Sequence, residues 1–373
     1  MTRFVLMYME ALIGRSFPVD RKVVVDDGFV GYFPVATRLN DGSIIAVLRG
    51  GSGHISADGR LVMVKSWDGG ETWSKPKTVI DTPEDDRGPP ALGQSSNGDL
   101  IMAFSVMSGF RKGYTGHVGT PDYKFRNYLV DVWVPELSDT KSYYVISTDG
   151  GSSWSDFKPL EIPGLSIAPY GKIVELSDKT LLMNVYGVKG NLPTSDQHSS
   201  YVIRSRDGGK TWGEPSLIAE GFNETALLVV DGDVIIAALR ADPPVEAIFI
   251  SISEDGGYTW SEPKQVTGKL EHPADLIQLS DGSIFLVYGY RKVPFGVRGM
   301  ISRDRGKSWI NAQIVLAFEG RNQDCGYPTV VRTDDGKIIV LYYLVGSMLE
   351  CDMKLRCVAL RFEERLLLDR IVF

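Results

Sequence analysis

Short apolar stretches alternate with turn sequences along the chain, and the alternation repeats. Leu61-Val62-Met63-Val64 and Tyr201-Val202-Ile203 each lead into a box of fixed form. The box at Ser66–Trp73 reads SWDGGETW. It returns as STDGGSSW at Ser147–Trp154, SRDGGKTW at Ser205–Trp212, SEDGGYTW at Ser253–Trp260 and SRDRGKSW at Ser302–Trp309. An apolar run that ends this way is a strand entering a tight turn. Asp68, Asp149, Asp207, Asp255 and Asp304 are placed to accept hydrogen bonds from turn amides. The glycines permit positive φ, and each tryptophan can fold its indole back under the turn. The aspartates are therefore read as structural and kept out of the candidate site.

A second pattern is interleaved with the first. Apolar strand, polar turn and apolar strand recur around Asp41, Asn97, Asp178, Asp231, Asp281 and Asp335. Asn-Gly or Asp-Gly between apolar runs is a strong hairpin signal. Two hairpins per unit make a four-stranded antiparallel sheet. Six units, mostly 50 to 56 residues apart, predict an all-β chain: a six-bladed β-propeller of four-stranded antiparallel blades. The sixth unit has no box. Its third strand is expected over Met353–Phe362, and its outer strand from the N-terminus near Lys22–Val25, which would close the ring and hide its edges.

The division expected is an N-terminal extension over 1–19 and one propeller over 20–373. Asn97 and Asp178 stand 81 residues apart, so blade 2 carries an insertion between about 107 and 135. It holds Phe110, Tyr114, Tyr123, Phe125, Tyr128 and Trp133, with Arg111, His117 and Arg126. Such a loop either covers a ligand or builds a subunit contact, the second making a homo-oligomer.

Composition changes this picture little. A length of 373 residues suggests two domains, but six blades and one insertion account for it. A hydrophobic content of 43% supplies a core and excludes a disordered chain. A net charge of −7, without a long basic run, argues against nucleic-acid or anionic-membrane partners. No apolar run reaches transmembrane length. At the N-terminus, MTRFVLMYMEALIGRSFP, Glu10 interrupts the apolar stretch and no small-residue cleavage site follows. A cytoplasmic protein is expected, with secretion left open. Cys325, Cys351 and Cys357 are expected as reduced thiols, with a Cys351–Cys357 bridge as the alternative. No metal, dinucleotide or P-loop motif is present, so no cofactor is expected.

The boxes resemble the Asp-box (BNR) repeats of the sialidase (neuraminidase) superfamily, from about Gly31 to Phe373. The resemblance implies a glycoside hydrolase that removes a terminal, acidic, sialic-acid-like sugar, with carbohydrate as its partner. Such a sugar carries a carboxylate on its anomeric carbon. Arginines hold that anion, and tyrosine replaces a carboxylate nucleophile that the anion would repel. Glu224, in NETALLVVDGDVIIAALRAD, resembles the base that takes the tyrosine proton, and Arg240 in the same segment one arginine of the clamp. Tyr327, in DCGYPTVVRTDDGKIIVLYY, resembles the nucleophile. In GYRKVPFGVRGMISRDRGKSW, Arg298 is favoured over Arg291 as a further clamp residue.

One motif departs from the family. Its F/Y-R-I-P on the first inner strand is Gly31-Tyr32-Phe33-Pro34 here, without the arginine. Arg49 and Arg87 are candidate substitutes. Asp58 and His54, after the first hairpin, are candidates for the acid/base. His272 and Asp275 lead into an inner strand and are expected to face the central pocket. Asp85, Asp86 and Asp324 also flank strand starts. Two other readings stand beside the sialidase one. One is a propeller glycosidase or lyase for a uronate or another nonulosonic acid. The other is a non-catalytic carbohydrate- or protein-binding propeller, which would hold Tyr327 and Glu224 apart or fill the pocket with the insertion.

Overall fold

The computed structural model describes residues 19–51, 53–114, 130–133, 138–190, 192, 197–310 and 314–369. Of Arg87, 111–114, 130–133 and Asp369 only the backbone is described. The N-terminal extension up to residue 18 and the middle of the blade-2 insertion lie outside the described residues. Of the insertion, Phe110–Tyr114 and Val130–Trp133 pair as a two-stranded ribbon.

The chain is all-β and propeller-like, built of four-stranded antiparallel sheets. Four sheets stand alone. The first runs outward through Val30–Arg38, Ile44–Gly50, Arg60–Ser66 and Lys77–Ile80. Two others begin at Phe222–Val230 and Glu271–Gln278. The last holds Cys325–Arg332, Lys337–Ser347 and Asp352–Glu363, with Asp20–Val25 as its outer strand. Lys22 pairs with Ala359 and Val23 with Val358, so the N-terminal strand closes the last sheet, as the sequence predicted.

The sheets from the second and third sequence units do not stay separate. They form one eight-stranded sheet, joined where Gly171 and Lys172 of Ser166–Glu175 pair in parallel with Ala91 and Leu92 of Asp85–Gln94. Glycine makes this approach feasible, since a Cβ on Gly93 would stand 2.4 Å from the Ile173 carbonyl oxygen.

The core lies between neighbouring sheets rather than at one centre. Val35, Val47 and Met63 of the first sheet pack with Leu92, Met102 and Phe104 of the next. Ala36, Ala46 and Val64 pack with Val331, Ile339 and Leu341 of the last, joining the two ends of the chain. Ion pairs fasten the N-terminal strand to the C-terminal part of the chain. Arg21 meets Glu319 at 2.8 Å, and the fully buried Arg356 meets Asp352 at 2.8 Å and Asp26 at 3.3 Å.

The boxes fold as read. Asp207 Oδ1 accepts from Ser205 Oγ at 2.8 Å and from the Thr211 amide at 2.9 Å. The Trp212 indole N–H donates back to the Gly209 carbonyl at 3.1 Å. The cysteines are free, with Cys325 and Cys357 buried and Cys351 exposed, so the Cys351–Cys357 bridge is not formed. Among the described residues no helix is long and apolar enough to cross a membrane.

Candidate active site

The first strand of each unit breaks register near its start. The breaks fall between Tyr32 and Val35, Arg87 and Ala91, Tyr170 and Val174, Phe222 and Thr225, Glu271 and Ala274, and Gly326 and Thr329. A bulge bends its strand and re-aims a side chain. Phe33, Tyr170, Glu224, His272 and Tyr327 all lie within or beside these breaks. The site is thus assembled from one repeated local irregularity, delivered by strands far apart in sequence.

Tyr327 and Glu224 meet there. The Tyr327 hydroxyl lies 2.9 Å from each carboxylate oxygen of Glu224. Arg240 donates to Tyr327 Oη at 2.7 Å and also pairs with Glu224. The Arg291 guanidinium stands 5.1 Å from the centre of the Tyr327 ring. Its Nε and Nη2 are buried without a hydrogen-bond partner. Tyr327 (φ 46°) and Phe33 (φ 52°) both adopt the left-handed region, and their rings are 4.6 Å apart. Bulky residues in that conformation are strained, and such strain clusters at functional sites.

The electrostatics suit a poised tyrosine. Burial pushes the Tyr327 phenol up to about 12, against the pull of Arg240. It therefore rests protonated, with Glu224 in place to take its proton and two guanidiniums in place to stabilise the phenolate. Burial works against the Arg240 charge, but Glu224 and Tyr327 raise its pKa overall. Arg291 is likewise raised: burial opposes its charge, while Tyr343 and Tyr327 favour it. His272 is buried with neither ring nitrogen hydrogen-bonded. Burial first, then Arg240 and Arg291, holds its pKa far below the usual range, so the imidazole is neutral.

Across Phe33 from Tyr327 lies a second group. The His54 ring is 5.0 Å from that of Phe33 and 4.9 Å from that of Tyr32. His54 Nε2 is 2.8 Å from Asp324 Oδ1, which also accepts from the Tyr343 hydroxyl at 2.7 Å. The aromatic pair Tyr32 and Phe33 thus occupies the position where the resemblance called for an arginine.

Other expected residues are placed differently. Arg298, favoured over Arg291, sits in the third strand of its sheet. Its guanidinium donates to the carbonyls of Val297, Ala317 and Pro294, and burial lowers its pKa. Arg291, in the turn after Ile284–Tyr290, is the one beside Tyr327. Arg49 is fully buried, 2.6 Å from Asp85, and its guanidinium holds Gly53 O and Ser56 Oγ of the loop that carries His54. It is a scaffold for that loop rather than a substrate contact. Asp275 is 2.7 Å from Lys172 and accepts from Thr329 Oγ1 and the Val330 amide. Those bonds link neighbouring sheets and leave it little freedom to meet a substrate. Asp58 is exposed in the turn before Gly59. The Arg87 side chain lies outside the described residues.

Sequence reading missed Tyr170 and Tyr343. Tyr170 is buried in one cluster with Tyr32, Phe33, Tyr327 and Tyr343, and Glu224 and Tyr327 both help to raise its pKa after burial. Its signal was present in Ala168-Pro169-Tyr170-Gly171, which opens an inner strand as Gly326-Tyr327-Pro328 does. Among the described residues no group of three or more His, Cys, Asp or Glu side chains is arranged to hold a metal. A separate groove of about 520 Å³, lined by Ile250, Trp260, Val266 and Lys307 among others, carries none of these residues.

A similar fold occurs in several solved structures. A protein of unknown function from Dyadobacter fermentans DSM 18053 is 24% identical with a TM-score of 0.75, the match covering 92% of this chain and 98% of that one. Trypanosoma rangeli sialidase in complex with sialic acid is 15% identical with a TM-score of 0.68; the match covers 96% of this chain and 61% of that one. The NanB sialidase from Streptococcus pneumoniae is 16% identical with a TM-score of 0.64, over 94% of this chain and 71% of that one. At these identities the likeness is one of fold. No curated protein matches the sequence. The model of the BNR repeat-like domain matches residues 117–340, more than half of the chain, so the protein belongs to the BNR repeat-like domain family.

Proposed function

We propose that the protein is a sialidase-like exo-glycosidase acting on a terminal acidic sugar. The hydrogen-bonded contact between Tyr327 and Glu224, with Arg240 bridging both, carries this reading. Tyr327 is the nucleophile and Glu224 its base. Arg240 and Arg291 bind the sugar carboxylate, Arg291 through its unpartnered nitrogens. A guanidinium with open donors beside an aromatic floor suits a planar anion. The eight-stranded sheet counts as two blades meeting at their inner edges, which gives a ring of six around this site. The contact favours an enzyme over a purely binding propeller.

A second reading is a glycosidase or lyase for another acidic sugar, a uronate or a different nonulosonic acid. The loss of the family's arginine to the aromatic pair Tyr32 and Phe33, with the Phe33 ring 4.6 Å from that of Tyr327, favours it. One experiment separates the two. Purified protein is assayed on 4-methylumbelliferyl glycosides of N-acetylneuraminic acid, of other nonulosonic acids and of glucuronic acid, with Tyr327→Phe in parallel. Sialoside cleavage that disappears in Tyr327→Phe supports the first reading. Turnover of another acidic glycoside alone supports the second. A wild-type protein that cleaves none of them removes both.

A further inference from the structure

We infer that His54 is the acid/base of this site and that Asp324 is its positioning residue. The inference rests on the reading of Tyr327 and Glu224 as nucleophile and base. That pair lacks a group to protonate the leaving oxygen, because Glu224 is committed to Tyr327 and Arg240.

Three observations point to His54. Its ring packs on Phe33 of the aromatic cluster and still reaches solvent, with 38% of its side chain exposed. A proton carrier needs that access, and the neighbouring candidates fail on it or on pairing. His272 is buried and held neutral by its surroundings, and Asp275 is tied to Lys172. Second, Asp324 fixes the ring. Its Oδ1 is 2.8 Å from His54 Nε2, which leaves Nδ1 as the nitrogen assigned to the proton transfer. Asp324 is in turn held by the Tyr343 hydroxyl, and its amide donates to Asn322 Oδ1 at 2.8 Å. A carboxylate behind a histidine sets the tautomer and stabilises the imidazolium. Third, the loop is built around this placement. Arg49 and Asp85, both fully buried, hold Gly53 and Ser56 on either side of His54. At Gly59 a Cβ would stand 1.8 Å from Asp85 Oδ1, so only glycine fits there.

The proton balance closes. In the first step Tyr327 Oη attacks the anomeric carbon and passes its proton to Glu224. The bond to the leaving oxygen breaks, and protonated His54 gives that oxygen its proton. In the second step neutral His54 takes a proton from water, the water oxygen attacks the anomeric carbon, and the bond to Tyr327 breaks. Glu224 returns the proton to Tyr327 Oη. The sum is hydrolysis of one glycosidic bond, with every protein group restored.

Leaving-group dependence tests this. The wild type, His54→Gln, Asp324→Asn, Asp58→Asn and Tyr327→Phe are compared on two sialosides of one sugar, the 4-methylumbelliferyl glycoside and sialyllactose. Methylumbelliferone leaves without help, whereas the lactose alcohol needs a proton. His54→Gln is expected to lower kcat on sialyllactose by about 10²–10⁴-fold, to spare the first step on the aryl glycoside, and to be rescued by azide with release of the glycosyl azide. Asp324→Asn should lower kcat on sialyllactose in the same direction with KM little changed, and Asp58→Asn should match the wild type. If the first step in His54→Gln is unchanged or equally slowed on both substrates while Tyr327→Phe is dead, the assignment of His54 is overturned and the nucleophile stands. If the wild type cleaves neither sialoside, or Tyr327→Phe cleaves as well as the wild type, the underlying reading falls and this assignment with it.

Discussion

The Tyr327 hydroxyl, 2.9 Å from both carboxylate oxygens of Glu224, a residue 103 positions away, donates to that carboxylate and accepts a hydrogen bond from Arg240 at 2.7 Å. The two members of this pair should fail in different ways. Tyr327→Phe removes the reacting oxygen but leaves Glu224 and Arg240 paired, so activity is lost while stability holds. Glu224→Gln removes the base, for an expected fall in kcat of about 10²–10⁴-fold. It also leaves Arg240 without its anion, and breaking a buried ion pair costs about 3–5 kcal/mol. Urea unfolding beside the kinetic assay checks the split; an equal loss of stability in both variants would contradict it.

Arg291 should show the reverse trade. Two of its nitrogens are buried without partners, which is unfavourable in the empty site. Arg291→Met is therefore expected to raise the unfolding midpoint. The same change should weaken binding of an acidic sugar by about 10–100-fold, the value of a charge-assisted hydrogen bond of roughly 1.5–3 kcal/mol. Calorimetric titration of the unsaturated sialic-acid analogue into both proteins measures the second effect, and a thermal melt the first.

Arg49 gives a prediction opposite to that of a substrate-binding arginine. It and Asp85 are both fully buried and 2.6 Å apart. Removing either charge alone, by Arg49→Met or Asp85→Leu, should cost about 3–5 kcal/mol, whereas the double replacement should recover much of it. A double-mutant cycle in urea reads the coupling. A single variant with normal stability and a raised KM would return Arg49 to the substrate.

The repeats and the turns were legible because they are local. Asp207, Gly209 and Trp212 make their bonds within one turn, so spacing alone identifies them. Tyr327 and Glu224 were legible because each opens a strand–turn–strand unit of familiar form. The choice between Arg298 and Arg291 was not legible. It depends on register: Arg298 pairs across with Tyr288 in mid-sheet, while Arg291 follows the strand end and bonds through its amide to Leu270, at the start of an inner strand. The role of Arg49 was hidden for the same reason, since Asp85 comes from another sheet. The joining of two units at Gly93 also has no local signature, because a glycine in a strand does not say which backbone approaches it.

His272 should shape the acid limb of the stability curve. Its folded pKa is depressed by burial and by Arg240 and Arg291, while the unfolded chain protonates near 6.5. Below that pH the unfolded state binds the extra proton, so stability falls as pH falls, by up to about 1.4 kcal/mol per pH unit. Asp86 acts in the opposite sense. Burial raises its carboxyl to about 6, so its contribution is present at low pH and is lost as pH rises through that value. Comparing His272→Leu with the wild type keeps Asp86 constant. Between pH 6 and pH 4 the variant should lose stability less steeply, and parallel curves would show that His272 protonates in the folded state.

The fifth box offers a prediction about backbone alone. Its Arg305 has φ 58°, where the other boxes hold Gly69, Gly150, Gly208 and Gly256 at φ 66° to 74°. A side chain in the left-handed region costs about 1–2 kcal/mol, whereas glycine loses about 0.5–1 kcal/mol through its freer unfolded chain. The difference favours glycine. Arg305→Gly should therefore stabilise the protein by about 0.5–1 kcal/mol, and Gly208→Arg should destabilise it by a similar amount. Arg305 is exposed and Gly208 half-buried, and neither turn carries a residue of the candidate site, so neither variant should change kcat or KM. Urea midpoints at a common slope test the pair. Stabilisation at position 305 with destabilisation at 208 identifies the backbone as the cause, because in a chain of net charge −7 the loss of an arginine charge would destabilise and its gain stabilise.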